Sequence, residues 1–127
     1  LDGFKSVNDT MGHGVGDELL KKLAERMTTI AGHAHTIARS GGDEFAIILT
    51  GRDTAAAFPV AQRIREQAET KRFRDLPDLR FTSSIGIAAA DRSHTRLRDW
   101  MDAADVALYQ AKNAGRNRVV GETAQLA

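Results

Sequence analysis

Thr36-Ile37-Ala38-Arg39-Ser40-Gly41-Gly42-Asp43-Glu44-Phe45-Ala46-Ile47-Ile48-Leu49 is the stretch that decides the fold. A short run ending at Arg39, a cluster of turn formers and a compact apolar run predict two strands joined as a hairpin. The second arm, residues 44–49, holds Phe45, Ile47 and Ile48 with little polar alternation, the pattern of a strand covered on both faces. Such a strand needs helices to cover it, and the flanking sequence supplies them. Upstream, Leu19, Leu20, Leu23, Met27 and Ile30 recur at helical spacing over residues 16–30, with a stop near Gly32. Downstream, Asp53 or Thr54 can cap a second helix that runs to about Glu69, and Pro59 predicts a late start or a bend.

Farther along, residues 71–80 are charged, contain Pro77 and read as a loop. Phe81, Ser83, Ile85 and Ile87 then alternate with Thr82, Ser84 and Gly86, the period of a strand. A third helix places Leu97, Trp100, Met101, Ala104, Leu108 and Ala111 on one face and stops at Asn113-Ala114-Gly115. Val119-Val120 forms a last strand, and Gly121 onward reads as a tail. The order is that of an α/β sandwich with a mixed sheet. It has few strands for its helices, so a further strand ending just before Leu1 is expected, with Asp2 and Phe4 at its exit. The opening Leu1-Asp2-Gly3-Phe4-Lys5 has no methionine and reads as a shortened start.

Composition narrows the chemistry. The chain has 127 residues, one domain on the usual prior, and 42% hydrophobic with 28% charged residues argues against disorder. It has no cysteine, which excludes disulfides, thiolate metal sites and cysteine nucleophiles and suits a reducing cytoplasm. The net charge of +1 creates no global field for nucleic acid or an anionic membrane, so an anionic ligand must be held locally. No apolar run is long enough to span a bilayer. His33, His35 and His94 lack the spacing of a metal cluster and read as surface.

Three groups of residues carry chemical content. At the hairpin tip, Asp43 and Glu44 follow Gly41 and Gly42, so two carboxylates stand beside a backbone that a phosphate can approach closely. Magnesium commonly takes one or two carboxylates plus substrate phosphates, and this pair meets that demand. The plainer reading is a type I′ hairpin with glycines serving the turn and solvated acids. Near the start, Asp2, Lys5, Asn8, Asp9, His13 and Asp17 gather before and into the first helix, broken by Gly12, Gly14 and Gly16. A carboxylate and an amide together can read the edge of guanine, although Asn8, Asp9 and Asp17 would also serve as turn and cap residues. At the far end, Lys112, Arg116 and Arg118 surround the stop of the third helix. They either complement the helix C-terminus or reach a triphosphate.

Taken jointly, these segments resemble the GGDEF family, the diguanylate cyclases that condense two GTP into cyclic di-GMP and pyrophosphate in bacterial second-messenger signalling. The matches are residues 1–10, Gly12-His13, Gly16-Asp17-Glu18, Arg39 to Phe45, Ser84-Ile85-Gly86, Ala103-Ala104-Asp105, Ala107-Leu108-Tyr109, Ala111-Lys112 and Gly115-Arg116-Asn117. They follow the family's order over nearly the whole chain.

The resemblance implies an α/β (α+β) sandwich of nucleotidyl-cyclase or palm-like type. Its sheet would be mixed and largely antiparallel, flanked by helices, with the first strand mostly missing. Residues 1–121 would be a GGDEF domain lacking its N-terminal segment, and residues 122–127 a tail. Asp43 and Glu44 would bind Mg²⁺ or Mn²⁺, with the carbonyl of Leu1 in the metal shell and Asp43 the acceptor of the 3′-hydroxyl proton. Asn8 and Asp17, with His13 beside them, would hold guanine. Gly41 and Gly42 would admit the phosphates, and Lys5, Lys112 and Arg116 would hold the triphosphate and its developing charge. Catalysis would need a homodimer, supported by an upstream sensory or dimerisation domain, in the cytoplasm and without nucleic-acid or membrane contact by this domain. The family also has an aspartate ligand immediately before the position of Leu1, so residues 1–127 alone would be weak or inactive. Its inhibitory Arg-x-x-Asp motif falls here on Gly32-His33-Ala34-His35, without either charge, which predicts no product inhibition there. The alternative function is a non-catalytic GTP-binding module that regulates a neighbouring domain.

Overall fold

A computed structural model describes residues 1–32, 35–51, 53–70, 80–90 and 96–121. The elements run α1 (Phe4–Met11), α2 (His13–Ala31), β1 (His35–Arg39), β2 (Phe45–Leu49), α3 (Thr54–Thr70), β3 (Ile85–Ile87), α4 (Leu97–Asn113) and β4 (Val119–Gly121). The fold is the mixed α/β arrangement that the sequence predicts. The expected 71–80 loop lies almost wholly outside the described residues, as do His33, His94 and the 122–127 tail.

β1 and β2 pair antiparallel, Ile37 opposite Ile47 and Arg39 opposite Phe45, while β3 and β4 pair in parallel, Ile85 opposite Val119. Leu1 and Asp2 lie between these pairs. The Leu1 amino group donates to the Asp43 carbonyl at 2.9 Å, and the Asp2 N–H donates to the Thr82 carbonyl at 2.8 Å. This places Leu1 and Asp2 where the sequence expects the exit of a central strand. Of the strand expected over residues 81–87, only Ile85–Ile87 is regular, with an isolated bridge from Thr82 to Asp2.

The core forms where α1, α2 and α3 meet. Phe4 and Val7 of α1 pack with Leu19, Leu20, Leu23 and Met27 of α2, with Ala68 of α3 and with Phe81. Leu19 is wholly buried. Ile37, Phe45 and Ile47 join from one face of the hairpin. The other face carries exposed Thr36, Ala38 and Ile48, which corrects the expectation of a strand covered on both sides. The reason is that α4 lies over β3 and β4 rather than over the hairpin.

Helix α1 is absent from the sequence-based expectation, which treats those residues as an approach to the first helix. Phe4 and Val7, three apart, fix its buried side, and Gly12 (φ 91°) breaks it from α2 while its N–H closes on the Asn8 carbonyl at 2.9 Å. Helix α3 begins at Thr54 with Asp53 Oδ1 accepting from the Ala56 N–H at 2.8 Å, and it runs through Pro59 without the expected late start.

Helix α4 is rotated from its predicted face. Trp100, Ala104, Ala107, Leu108 and Ala111 are wholly or partly buried, whereas Leu97 and Met101 are exposed. Its backbone approaches β3 so closely that a Cβ on Gly86 would overlap the Ala104 carbonyl and the Leu108 N–H and lie 2.9 Å from Leu108 Cα. Small residues on the helix permit this approach, and the Trp100 indole N–H donates to the Ala88 carbonyl at 2.7 Å. A Gly86→Ala variant meets backbone atoms that cannot swing aside, so its urea midpoint should fall by the equivalent of roughly 1–3 kcal/mol, the usual cost of overpacking. An unchanged midpoint would show that α4 can lift from β3 at no cost.

Candidate active site

The hairpin tip is built by its neighbours. The Ser40 N–H donates to the Glu44 carbonyl at 3.0 Å and closes a loop of residues 40–44. This is longer than a two-residue type I′ turn, and neither Gly41 nor Gly42 has a positive φ. That corrects the reading in which the glycines serve the turn. Space does not demand glycine either. A Cβ on Gly42 would meet nothing within 4 Å, and one on Gly41 would make ordinary contact with the Glu44 side chain, nearest at 3.5 Å.

Arg39, to which the sequence reading gave no role beyond the end of a strand and the start of a matching segment, orders this loop. Its Nε donates to the carbonyls of Gly41 and Gly42, each at 3.1 Å, and its Nη2 to the Gly42 carbonyl at 2.7 Å. With those carbonyls occupied, the N–H groups of Gly41 and Gly42 have no acceptor among the described residues. A cationic side chain two residues ahead of a glycine pair is the signal that could have found it.

Asp43 is half-buried and Glu44 is exposed. The Leu1–Asp43 hydrogen bond sets the main chain of Leu1 beside the hairpin. The adjacent Asp43 and Glu44 carboxylates and the main-chain carbonyl of Leu1 are all hard oxygens, the kind of ligand that suits Mg²⁺ or Mn²⁺. Among the described residues no three acidic or histidine side chains converge on one point, so substrate or water oxygens, or a ligand preceding Leu1, would have to complete such a shell.

Lys5 stands exposed in the first turn of α1, one turn before Asn8. The Asn8 amide packs against Gly16, where a Cβ would overlap Asn8 Oδ1 and lie 3.0 Å from its Cγ, and this oxygen is buried without a donor. Gly16 therefore brings α2 against α1 and puts Asp17, the next residue, near Asn8. His13 and Asp17 are exposed at the start of α2.

At the other end, Lys112 is half-buried in the last turn of α4 and Arg116 is exposed beyond it. Arg116 reaches the site through Asp2, whose Oδ1 lies 4.0 Å from Arg116 Nε. Asp2 accepts from the hydroxyls of Thr82 and Ser84 at 2.8 Å and from the Asn117 N–H at 3.2 Å. The sequence reading placed Asp2 at a strand exit and in a polar cluster, without these partners. Its partners lie about eighty or more positions away, beyond any local pattern. A cavity of about 330 Å³ between α2 and α3 is lined by Glu25, Arg26, Thr29, Ile30, Arg63 and Gln67 and by none of the candidate residues. His35, expected on the surface, is half-buried in β1.

Residues 1–118 match the family model described as "Diguanylate cyclase, GGDEF domain". The chain belongs to the GGDEF family. It is 40% identical over 118 residues to the "Probable diguanylate cyclase DgcC" of Escherichia coli, a match covering 93% of this chain and 32% of that protein. The chain thus spans about a third of the length of that curated relative. Among solved structures it resembles the active GGEEF domain of a diguanylate cyclase from Vibrio cholerae, with a TM-score of 0.85 and 31% identity over 96% of this chain and 78% of that one. It also resembles the GGDEF domain of DgcB from Caulobacter crescentus, solved in complex with c-di-GMP, with a TM-score of 0.82 and 29% identity over 95% and 72%. The fold and family expected from the sequence are therefore established, and the family ties the domain to cyclic di-GMP signalling. No helix among the described residues is long and apolar enough to cross a membrane.

In this GGDEF domain Gly41 and Gly42 are free of both conformational and packing demands. Gly41→Ala and Gly42→Ala should each leave thermal stability within about 0.5 kcal/mol of the unaltered chain, as for surface substitutions away from special features. A larger loss in a melting experiment would return these glycines to the turn.

Proposed function

We propose that the chain is the GTP-condensing domain of a longer signalling protein, a diguanylate cyclase. The observation that carries this reading is the bare Gly41–Gly42 backbone, its carbonyls held by Arg39 and its N–H groups free, directly beside Asp43 and Glu44. Free N–H groups and open space suit a phosphate, and adjacent carboxylates suit the cation that accompanies it. The loop would close as well with side chains there, so its bareness points to a ligand.

Each domain would hold one GTP. Asn8 and Asp17 would hydrogen-bond the guanine edge, with His13 beside them. Lys5, Lys112 and Arg116 would hold the triphosphate, Arg116 offering two parallel N–H donors and the lysines compact charges. Two domains facing each other would align the 3′-hydroxyl of one GTP with the α-phosphorus of the other. A P–O bond then forms to the 3′-oxygen, the bond to the β-phosphate oxygen breaks, pyrophosphate departs, and Asp43 accepts the hydroxyl proton. The same exchange in the opposite direction closes the ring, giving one cyclic di-GMP and two pyrophosphates. Mg²⁺ or Mn²⁺, held by Asp43, Glu44 and the Leu1 carbonyl, would supply charge neutralisation at the phosphates. Orientation and charge compensation are the larger share of such catalysis, and these residues supply both. The need for a facing partner makes a homodimer, with an upstream domain to assemble it, part of the proposal. The setting proposed is the cytoplasm, where GTP is available.

Chromatographic detection of cyclic di-GMP from GTP and Mg²⁺ tests the reading, using the chain and a form extended upstream. Product is expected from the extended form, with Asp43→Ala lowering turnover roughly 10²- to 10⁴-fold, the range for loss of a general base. Turnover that survives Asp43→Ala removes that role from Asp43. GTP binding without product in either form would favour the regulatory alternative.

A second measurement concerns control by product. Gly32 and His35, at the ends of the Gly32-His33-Ala34-His35 window, offer no arginine or aspartate. Cyclic di-GMP added in excess should leave the initial rate unchanged apart from competition at the GTP site. Inhibition that GTP cannot relieve would reveal a product site on other residues.

A further inference from the structure

We infer that Asp2 is a positioning residue for the triphosphate clamp and acts through Arg116. The inference rests on the reading of Arg116 as a phosphate-holding residue. Three observations carry it.

The first is that the Asp2 carboxylate is fixed in place by protein donors. Its side chain is 8% exposed, and it receives the Thr82 and Ser84 hydroxyls and the Asn117 N–H while facing Arg116 Nε. Of the roughly four lone-pair directions a carboxylate offers, three are met by these hydrogen bonds, most of them on Oδ2, and Oδ1 is the oxygen that faces Arg116.

The second is the backbone of the loop that carries Arg116. Gly115 has φ 121°, and Arg116 and Asn117 follow at 64° and 47°. Two successive side-chain-bearing residues in the left-handed region persist only when their surroundings hold them there. The holding contacts lie on both sides of the loop. Asp2 takes the Asn117 N–H, Arg65 Nη1 donates to Asn117 Oδ1 at 3.1 Å, and the Asn117 side-chain amide donates to Glu69. The Arg116 N–H itself closes on the Ala111 carbonyl at 3.0 Å.

The third is the asymmetry of the Asp2–Arg116 pair. Asp2 is buried and Arg116 is 61% exposed. At 4.0 Å the pair is loose enough for the guanidinium to turn towards an incoming anion while its Cα stays fixed. The same residue joins the clamp to the metal side, because the Asp2 main chain bonds Thr82 and Leu1 bonds Asp43. Asp2 thus sets the distance between the groups proposed to hold the cation and a group proposed to hold the triphosphate.

The test is a calorimetric titration, with Mg²⁺ present, of the unaltered chain, Asp2→Asn, Arg116→Ala and the double variant. Each receives GTP and, separately, GMP, which lacks the β- and γ-phosphates. Asp2→Asn should weaken GTP about tenfold, within the range for coupled neighbours, and leave GMP unchanged. It should add little once Arg116 is alanine. Equal losses for GTP and GMP, or the same loss with and without Arg116, would overturn the proposal and leave Asp2 a purely structural residue. If Asp2→Asn does not fold, Ser84→Ala loosens the carboxylate while keeping its charge, and the same selective loss for GTP is expected at smaller size. An Arg116→Ala variant that binds GTP normally overturns the reading of Arg116 and this proposal with it. If Arg116→Ala weakens GTP and neither Asp2→Asn nor Ser84→Ala does, only this proposal falls.

Discussion

The rest of the structure depends on one buried carboxylate. Asp2 lies between the two strand pairs and draws together the N-terminal segment, the approach to β3 and the loop between α4 and β4. Removing an ionised carboxylate from water costs several kcal/mol unless hydrogen bonds replace the lost hydration. Here two hydroxyls and a backbone N–H do so, each charge-assisted bond contributing about 1.5–3 kcal/mol. The same bonds offset a second cost, the roughly 1–2 kcal/mol for each of Arg116 and Asn117 held in the left-handed region. The two arrangements support one another. The carboxylate needs the Asn117 N–H, and the loop needs an acceptor at that position.

This mutual dependence explains what was legible in the sequence. The hairpin, α2, α3, the stop of α4 and β4 follow from periodicity and turn residues, which are properties of short windows. The role of Asp2 does not, since its partners Thr82, Ser84 and Asn117 stand far along the chain. Helix α1 escaped for another reason. Only Phe4 and Val7 bury its apolar side, and its polar residues suggested a ligand more strongly than a helix. The predicted face of α4 holds for Trp100, Ala104, Leu108 and Ala111 and misses at Leu97 and Met101, because hydrophobicity alone ranks those two above Ala107. Contact with β3 is decided by closeness of approach, which favours alanine over a longer side chain.

The candidate residues are read from the sequence, and their supports come from the structure. Asp43, Glu44, Lys5, Asn8, Asp17, Lys112 and Arg116 sit in contiguous stretches, which is why short windows single them out as candidates. Arg39 and Asp2 also lie in matching segments, but what they do there is seen only in their contacts, Arg39 with the carbonyls of the hairpin loop and Asp2 with residues far along the chain.

Three glycines show how support and chemistry divide. Gly86 is required because α4 rests on it, and Gly16 because the Asn8 amide does, so in both a side chain would displace part of the protein itself. Gly42 meets nothing, and it needs no left-handed backbone. Nothing among the described residues requires its bareness, and the open space there is available to a ligand. The Gly41 and Gly42 carbonyls accept from Arg39, and the N–H groups of the same two residues have no acceptor among the described residues. A partner that accepts hydrogen bonds and carries negative charge is what such a surface selects. The two carboxylates at its edge would repel that partner unless a cation stood between them, so anion and cation must arrive together. A nucleotide accompanied by its magnesium meets both conditions.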